Sequence, residues 1–415
     1  MSGHADPSES RTPSQVLAAT FDPEKLPSSF FDDPYPIYAA LRAHEPVHRC
    51  ADGGYFLTRF GDVAAVYRDR THFSSDKRAV FGPKYGPESA LYAHHTTSLV
   101  FNDPPYHTRV RRQIVGALSP AAVKGMTPGL SALIERLCDE IEKRGAFDLI
   151  DEFAAAIPVE VIGNLLGVPR DERSALRRWS LGILGALDPA VLPQGLENGN
   201  RCVDEFSEFT RALVSERRRR MRGDDDLLSR LIRDESGGEH LSEFELVHNC
   251  IFLLNAGHET TTNLIGSGLG LLLKDIRSRQ LLAQEPFLIG AAVEECLRFE
   301  SPNQLGNRMV VSPVDVGGRL FAAGTYLTLC IGAANRDPAD FEDPDIFKLV
   351  RNPNPHLAFG AGGHACAGMS VARLEGQMAI AGFLRRFPQA RLAPGAVRSR
   401  RARFRGFVSL PAVID

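Results

Sequence analysis

Little in this sequence marks a disulfide-built, secreted or membrane-embedded protein. Its seven cysteines, Cys50, Cys138, Cys202, Cys250, Cys296, Cys330 and Cys366, are far apart, odd in number and without a C-x-x-C pair. That pattern supplies no disulfide framework and no zinc or iron–sulfur spacing, and it fits reduced thiols in a cytosol. A sulfur ligand to a metal would have to be a lone cysteine. The opening residues, MSGHADPSESRTPSQV, lack the basic start and apolar run of a secretion signal. We read residues 1–20 as a disordered lead-in and 21–415 as one catalytic domain. The longest apolar stretch, Cys250 to Leu273, is broken by Asn255, His258, Glu259, Thr260, Thr261, Thr262 and Asn263. Ionisable groups at bilayer centre are unfavourable, so this reads as a core helix rather than a span, in a cytoplasmic protein. A net charge of only −3 offers no field for nucleic acid. Internal repeats, Ser/Gly linkers and a strand–helix alternation suited to a parallel sheet are also missing.

What is present is enough chain for a large core: 415 residues, 43 % of them apolar. Helical periodicity dominates residues 105–300, including LSALIERLCDEIEKRG, which stops at Gly145. Short runs with alternation flank it at 53–60, 314–338 and 403–411. The expected fold is mainly α with a small β region. The arginine runs at 217–220 and 398–405 read as solvated faces, with a docking surface for an acidic partner as the alternative.

The segment HLAFGAGGHACAGMSVARLEG, 356–376, admits two chemistries. Its glycines could cradle a pyrophosphate, but a dinucleotide fingerprint follows a buried strand and opens a βαβ unit. This one follows RNPNPHLAF, and about fifty residues remain after it. A metal thiolate instead needs a lowered thiol pKa, N–H donors aimed at sulfur, and room for a flat macrocycle. Gly360, Gly362, Gly363 and Gly368 give close approach, and the helix starting after Cys366 points its N-terminal dipole at the sulfur.

Ser242-x-x-Glu245 is a capping box opening a helix to about Lys274. Inside it, AGHETT sets a glycine and consecutive threonines where propensity is poor. A threonine hydroxyl there can open a local bulge beside the chain, with Glu259 as a neighbouring ionisable group.

In these two stretches the chain resembles the cytochrome P450 family. Phe359, Gly362, His364, Cys366 and Gly368 fit its haem signature, F-x-x-G-x-[H/R]-x-C-x-G; Ala367 stands where many relatives carry Leu. Ala256, Gly257, Glu259, Thr260 and Thr261 fit its oxygen-activation motif. The resemblance implies the family's triangular fold, with haem b between two core helices and Cys366 as its axial ligand. It implies that Phe359 packs near the sulfur, that Thr260 holds dioxygen and guides protons, and that Glu259 relays them. Glu295 and Arg298 in VEECLRFESP match the family's E-x-x-R pair, joined by Arg351 in a buried structural triad. His107, Arg111, Arg308 and His364 take the positions of haem-propionate donors. Asn255 is less usual before the motif and carries no assigned role.

The implied activity is that of a haem-thiolate monooxygenase acting on a small hydrophobic substrate by hydroxylation or O-demethylation. With no flavin or iron–sulfur signature, electrons come from a separate ferredoxin and NAD(P)H-dependent ferredoxin reductase, as in bacterial members without a membrane anchor. Peroxygenase, isomerase and coupling chemistries share the pattern; a haem sensor or electron carrier would need no proton relay. The resemblance places the pocket walls at 76–99, Trp179 to Leu192, Phe252 and Ala256, 303–307, and the turn near Phe407. His94 and His95 read as exposed loop histidines.

Overall fold

The computed structural model describes residues 11–220, 226–233 and 241–414, the side chain of Arg220 excepted. Its organising element is the helix Glu243–Lys274. The Ser242 hydroxyl accepts from Glu245 N at 3.2 Å, and the Glu245 carboxylate accepts from Ser242 N at 2.7 Å. Two N-terminal donors are thereby satisfied reciprocally. Asn249, Asn255, His258 and Thr260 to Thr262 are indifferent helix formers, so packing has to sustain the element. It is buried along most of its length, against helices Ala156–Leu165, Leu176–Gly185, Ile289–Phe299 and Met369–Arg386. At Gly268 a Cβ would stand 2.9 Å from Ile380 Cδ1, so the helix passes close to Met369–Arg386 and an alanine there would require the Ile380 end to shift.

Two apolar cores lie on either side of the site. One joins Thr127–Glu142, the C-terminal half of the central helix and Met369–Arg386 through Ile134, Leu269, Ile380 and Phe383. The other joins Ala90–Thr97, Tyr106–Ala117, Pro193–Arg220 and the N-terminal half through Leu91, Ile114, Phe206 and Ile251. Each such fully buried side chain contributes about 1.5–3 kcal/mol. The β region is led by a five-stranded sheet ordered Val47–Arg49, Tyr55–Leu57, Tyr326–Cys330, Leu305–Val310, Phe73–Ser74. Antiparallel register sets Leu305 opposite Cys330 and Arg308 opposite Leu327. Because side chains alternate faces, Gly306 and Arg308 share one, and both line the cavity beneath the sheet.

Two expectations change. Within the expected lead-in, Pro13–Ala19 is a helix, with Thr12 and Gln15 forming a capping box and Ala18 buried against Tyr35–His44; residues 1–10 lie outside the described residues. The arginines at 398–405 are largely turned inward. Arg405 and Arg398 reach the buried Glu300 at 2.8 and 3.2 Å, Arg401 reaches Glu259, and Arg400 is the exposed one. In the 217–220 run, Arg217 donates to Gly167 O at 2.7 Å and Arg218 meets Glu243 at 2.8 Å, leaving Arg219 exposed.

Candidate active site

One deep cavity separates the Cys366 loop from the central helix. The loop is anchored from several sides: Cys366 N donates to Phe359 O at 2.9 Å, Leu357 N to Asn335 Oδ1 at 2.7 Å, and His356 meets Glu294 at 3.1 Å. Arg373 binds both oxygens of Glu294 at 2.7 and 2.8 Å and lies 4.7 Å from the Phe359 ring centroid. Phe359 is thus fixed beneath the loop, and Phe359 and Cys366 line the same cavity. Gly362 has φ +70°, and a Cβ there would collide with Tyr67 O, so only glycine fits. Burial pushes the Cys366 thiol above its ordinary pKa, while the Gly368 N–H, Arg111 and Arg373 pull it down. The lowered thiol pKa expected from the loop is therefore absent in the free protein; metal coordination itself deprotonates a thiol.

Across the cavity, Ala256 is exposed in the middle of an otherwise buried helix, because the cavity opens against it. Thr260 Oγ1 donates to Ala256 O at 2.8 Å. The helix is continuous there, so the expected bulge does not form and the hydroxyl bonds back instead. Glu259 is buried and both its oxygens accept from Arg401 Nη1, at 2.7 and 2.8 Å, while Arg401 Nη2 donates to Leu181 O at 2.9 Å. Burial raises the Glu259 carboxyl above its ordinary pKa, and Arg401 opposes that shift. Asn255 does not contact Glu259; it is 2 % exposed, lines the cavity, and leaves both amide atoms unpartnered.

At one end the structure brings His107, Arg111, Arg308 and His364 to the same cavity. The His107 and His364 rings lie 3.9 Å apart, and Arg308 sits 5.1 Å from the Tyr67 ring centroid. Burial lowers His107 to about 4 and His364 to about 2, with Arg111 and Arg308 adding to the respective shifts. In the chain by itself these shifts favour the neutral imidazole, which still has one N–H to donate. A sulfur donor on one wall, a bare Ala256 on the other, open space at the Gly368 Cβ position, and cationic and imidazole donors at one end fit haem. His107 Nε2 is buried without a partner, as a group awaiting a propionate would be.

Away from the cavity, Glu295 and Arg298 are wholly buried and joined by two bonds of 2.8 Å. Arg351 Nε reaches the Glu295 oxygens at 3.2 and 3.1 Å, and Lys348 N donates to the same carboxylate at 2.8 Å. Arg298 further donates to Asn335 O at 3.0 Å and Pro344 O at 2.8 Å, tying the helix Ile289–Phe299 to the meander before the Cys366 loop.

His94 and His95 are not exposed loop residues: they lie on the helix Ala90–Thr97, 1 % and 2 % exposed, and line the cavity. His95 packs among the rings of Phe81 and Phe101 at 5.3 and 5.5 Å, and burial lowers it to about 3. A neutral imidazole offers no charge to an acidic substrate. The C-terminal contribution to the cavity comes from Arg403 and Phe404 rather than Phe407. Arg401, Tyr67, Lys77, Arg403 and Glu375 escaped the sequence reading. Glu375 lines the cavity with Oε2 unpartnered, its carboxyl raised by burial to about 8. Its place on the helix that begins just after Cys366 was the available signal; for Arg401 and Arg403, in a run of like residues, there was none.

Comparison with known proteins agrees with this geometry. The family model described as Cytochrome P450 matches residues 187–410. The chain is 33 % identical over 392 residues to the biotin biosynthesis cytochrome P450 of Bacillus subtilis, covering 94 % of this chain and 98 % of that one. It is 36 % identical over 372 residues to the vitamin D(3) 25-hydroxylase of Pseudonocardia autotrophica, covering 88 % and 89 %. The crystal structure of P450BioI with hexadec-9Z-enoic acid ligated acyl carrier protein superposes with a TM-score of 0.88 at 33 % identity, over 94 % of this chain and 100 % of that one.

Proposed function

The chain belongs to the cytochrome P450 family, haem-b-dependent and oxygen-incorporating oxidoreductases, and on that premise we propose that it hydroxylates or O-demethylates a small hydrophobic substrate with electrons from a separate ferredoxin and reductase. The observation that carries this reading is Cys366 facing Ala256 and Thr260 across one cavity, with Glu259 beside them. Bound haem b supplies the reductive activation of dioxygen, which takes two electrons and two protons and sends one oxygen atom to substrate and the other to water.

The protein's own part is to hold, dry and protonate. Cys366 would supply the sulfur that holds the haem iron, with Phe359 lining the cavity beside it and Ala256 and Gly368 leaving it room. Arg111 and Arg308 would pair with the propionate charges, and His107 and His364 would donate hydrogen bonds to them. Thr260 positions dioxygen and passes protons, and Glu259 brings them from solvent. Both Glu259 oxygens accept from Arg401, so the carboxyl must leave Arg401 before it can serve Thr260. Glu295, Arg298 and Arg351 hold the scaffold beneath the loop.

The electron donor docks on the face nearest Cys366 in this reading, and electron transfer then slows with rising ionic strength. No helix among the described residues is long and apolar enough to cross a membrane, and the cysteines are free, which supports a cytoplasmic enzyme. The test is turnover under labelled dioxygen with NADH, ferredoxin and reductase: one labelled atom in the product is expected. Product formed only with added peroxide, and without label from dioxygen, would favour a peroxygenase instead.

A further inference from the structure

The cavity holds more basic side chains than two haem propionates would engage. Arg111, Arg308, His107 and His364 stand at the propionate end, yet Lys77 and Arg403 line the same cavity. Lys77 is 1 % exposed, and its Nζ has no hydrogen-bond partner. The Tyr326 ring centroid lies 5.4 Å from that Nζ. An ammonium removed from water with no counter-charge is among the least favourable groups a protein interior can hold. Burial, reinforced by Arg308 and Arg403, depresses its pKa well below the ordinary lysine range.

The nearby carboxylates are already engaged. Asp103 accepts from Ser75 N at 2.8 Å and from the Ser74 hydroxyl, and Asp76 is held by Arg78. Arg403 has its backbone pinned, its N donating to Asp188 Oδ2 at 3.2 Å and its O accepting from Gln304 N at 2.8 Å. Its guanidinium, 6.0 Å from the Phe404 ring centroid, meets no carboxylate at ion-pair distance among the described residues. The remaining walls are apolar, with Leu99, Phe101, Ile183, Leu184 and Phe252.

We propose that Lys77 and Arg403 seat a carboxylate, and that it is the acid head of an otherwise apolar substrate whose body runs across the apolar walls toward Ala256 and Thr260. This rests on the monooxygenase reading above and narrows its substrate to amphipathic acids. A haem propionate presents the same carboxylate chemistry, so the experiment has to separate the two sources.

Wild type, Lys77→Met, Lys77→Arg and Arg403→Gln are purified as holoproteins and titrated with dodecanoic acid and its methyl ester by the Soret shift. Haem transfer to apomyoglobin is timed in parallel. The expected result is an acid bound about ten-fold more tightly than its ester by wild type, a preference abolished in Lys77→Met, weakened in Arg403→Gln and largely kept in Lys77→Arg, with haem transfer unchanged throughout. Faster haem transfer from Lys77→Met with the acid preference intact would give the seat to a propionate and overturn the substrate assignment. Equal affinity of wild type for acid and ester, with haem transfer unaltered in Lys77→Met, would overturn the seat itself. If Lys77→Met gives no soluble protein, Arg403→Gln and Lys77→Arg decide on the same criteria. A wild type whose reduced carbonyl spectrum is not of the thiolate type would fail the haem-thiolate reading, a result distinct from all of these.

Discussion

Glu259 is buried on the central helix with both oxygens held by Arg401, which is itself partly exposed. That geometry makes Arg401 a positioning residue for the proton path. Arg401→Met leaves the carboxyl to burial and the nearby Asp188 charge, so its pKa, already raised, rises further. The alkaline limb of the pH–rate profile, where a proton donor is lost, should move to higher pH in Arg401→Met; an unmoved limb would place Glu259 outside the relay. Thr260→Ala removes the hydroxyl facing the cavity and keeps the fold, so haem content should match wild type while more NADH is diverted to peroxide. A fully coupled Thr260→Ala enzyme would contradict the role. At this scale Thr260 and Glu259 were legible because consecutive threonines in a core helix defy propensity. Arg401 was not, because its partner lies 142 positions away in sequence and nothing distinguishes it from its neighbouring arginines.

The helix Ile289–Phe299 shows how an element can be readable while its environment is not. Glu295 and Arg298, three apart, had to share a face. Only the fold reveals that this face is wholly buried and that Lys348 N and Asn354 also bind Glu295, at 2.8 and 3.2 Å. Removing one member strands a buried charge, at about 3–5 kcal/mol. Glu295→Ala or Arg298→Ala should therefore yield little haem-loaded protein, measured as Soret absorbance per unit protein; normal loading from either would refute the structural role. The central helix was legible from its first residue because a capping box is a local signal. By contrast the 76–99 segment, with Gly82, Pro83, Gly86 and Pro87, reads as loop, yet Ser89 caps the helix Ala90–Thr97 by accepting from Tyr92 N at 3.1 Å and turns two histidines inward. Tertiary burial overrode the local reading there.

At the scale of the whole molecule, the mainly α architecture with a minor sheet followed from periodicity, whereas the arrangement of the arginines around the cavity depended on contacts between distant segments. The same burial sets a pH dependence. His95 and His258 are held near about 3 and His248 near about 4, against an ordinary value of 6.5, all chiefly by burial. The unfolded chain takes up protons at these positions first, so their contribution to stability is complete above about pH 6.5 and lost progressively as pH falls toward their folded values. Each histidine contributes a slope of up to about 1.4 kcal/mol per pH unit. Glu375, raised to about 8, has the opposite sign and offsets one of them. The denaturation midpoint should fall from pH 7 to pH 5, and His258→Phe should flatten the fall; an unchanged midpoint would contradict the burial of these rings.

Everything proposed for the cavity depends on iron being held by the Cys366 sulfur. The direct measurement is the absorption spectrum of the reduced carbonyl complex of purified wild type beside Cys366→Ala. Wild type should give the thiolate-type Soret band and Cys366→Ala should lose it. A colourless wild type, or a band like that of a histidine-bound globin, would contradict the account.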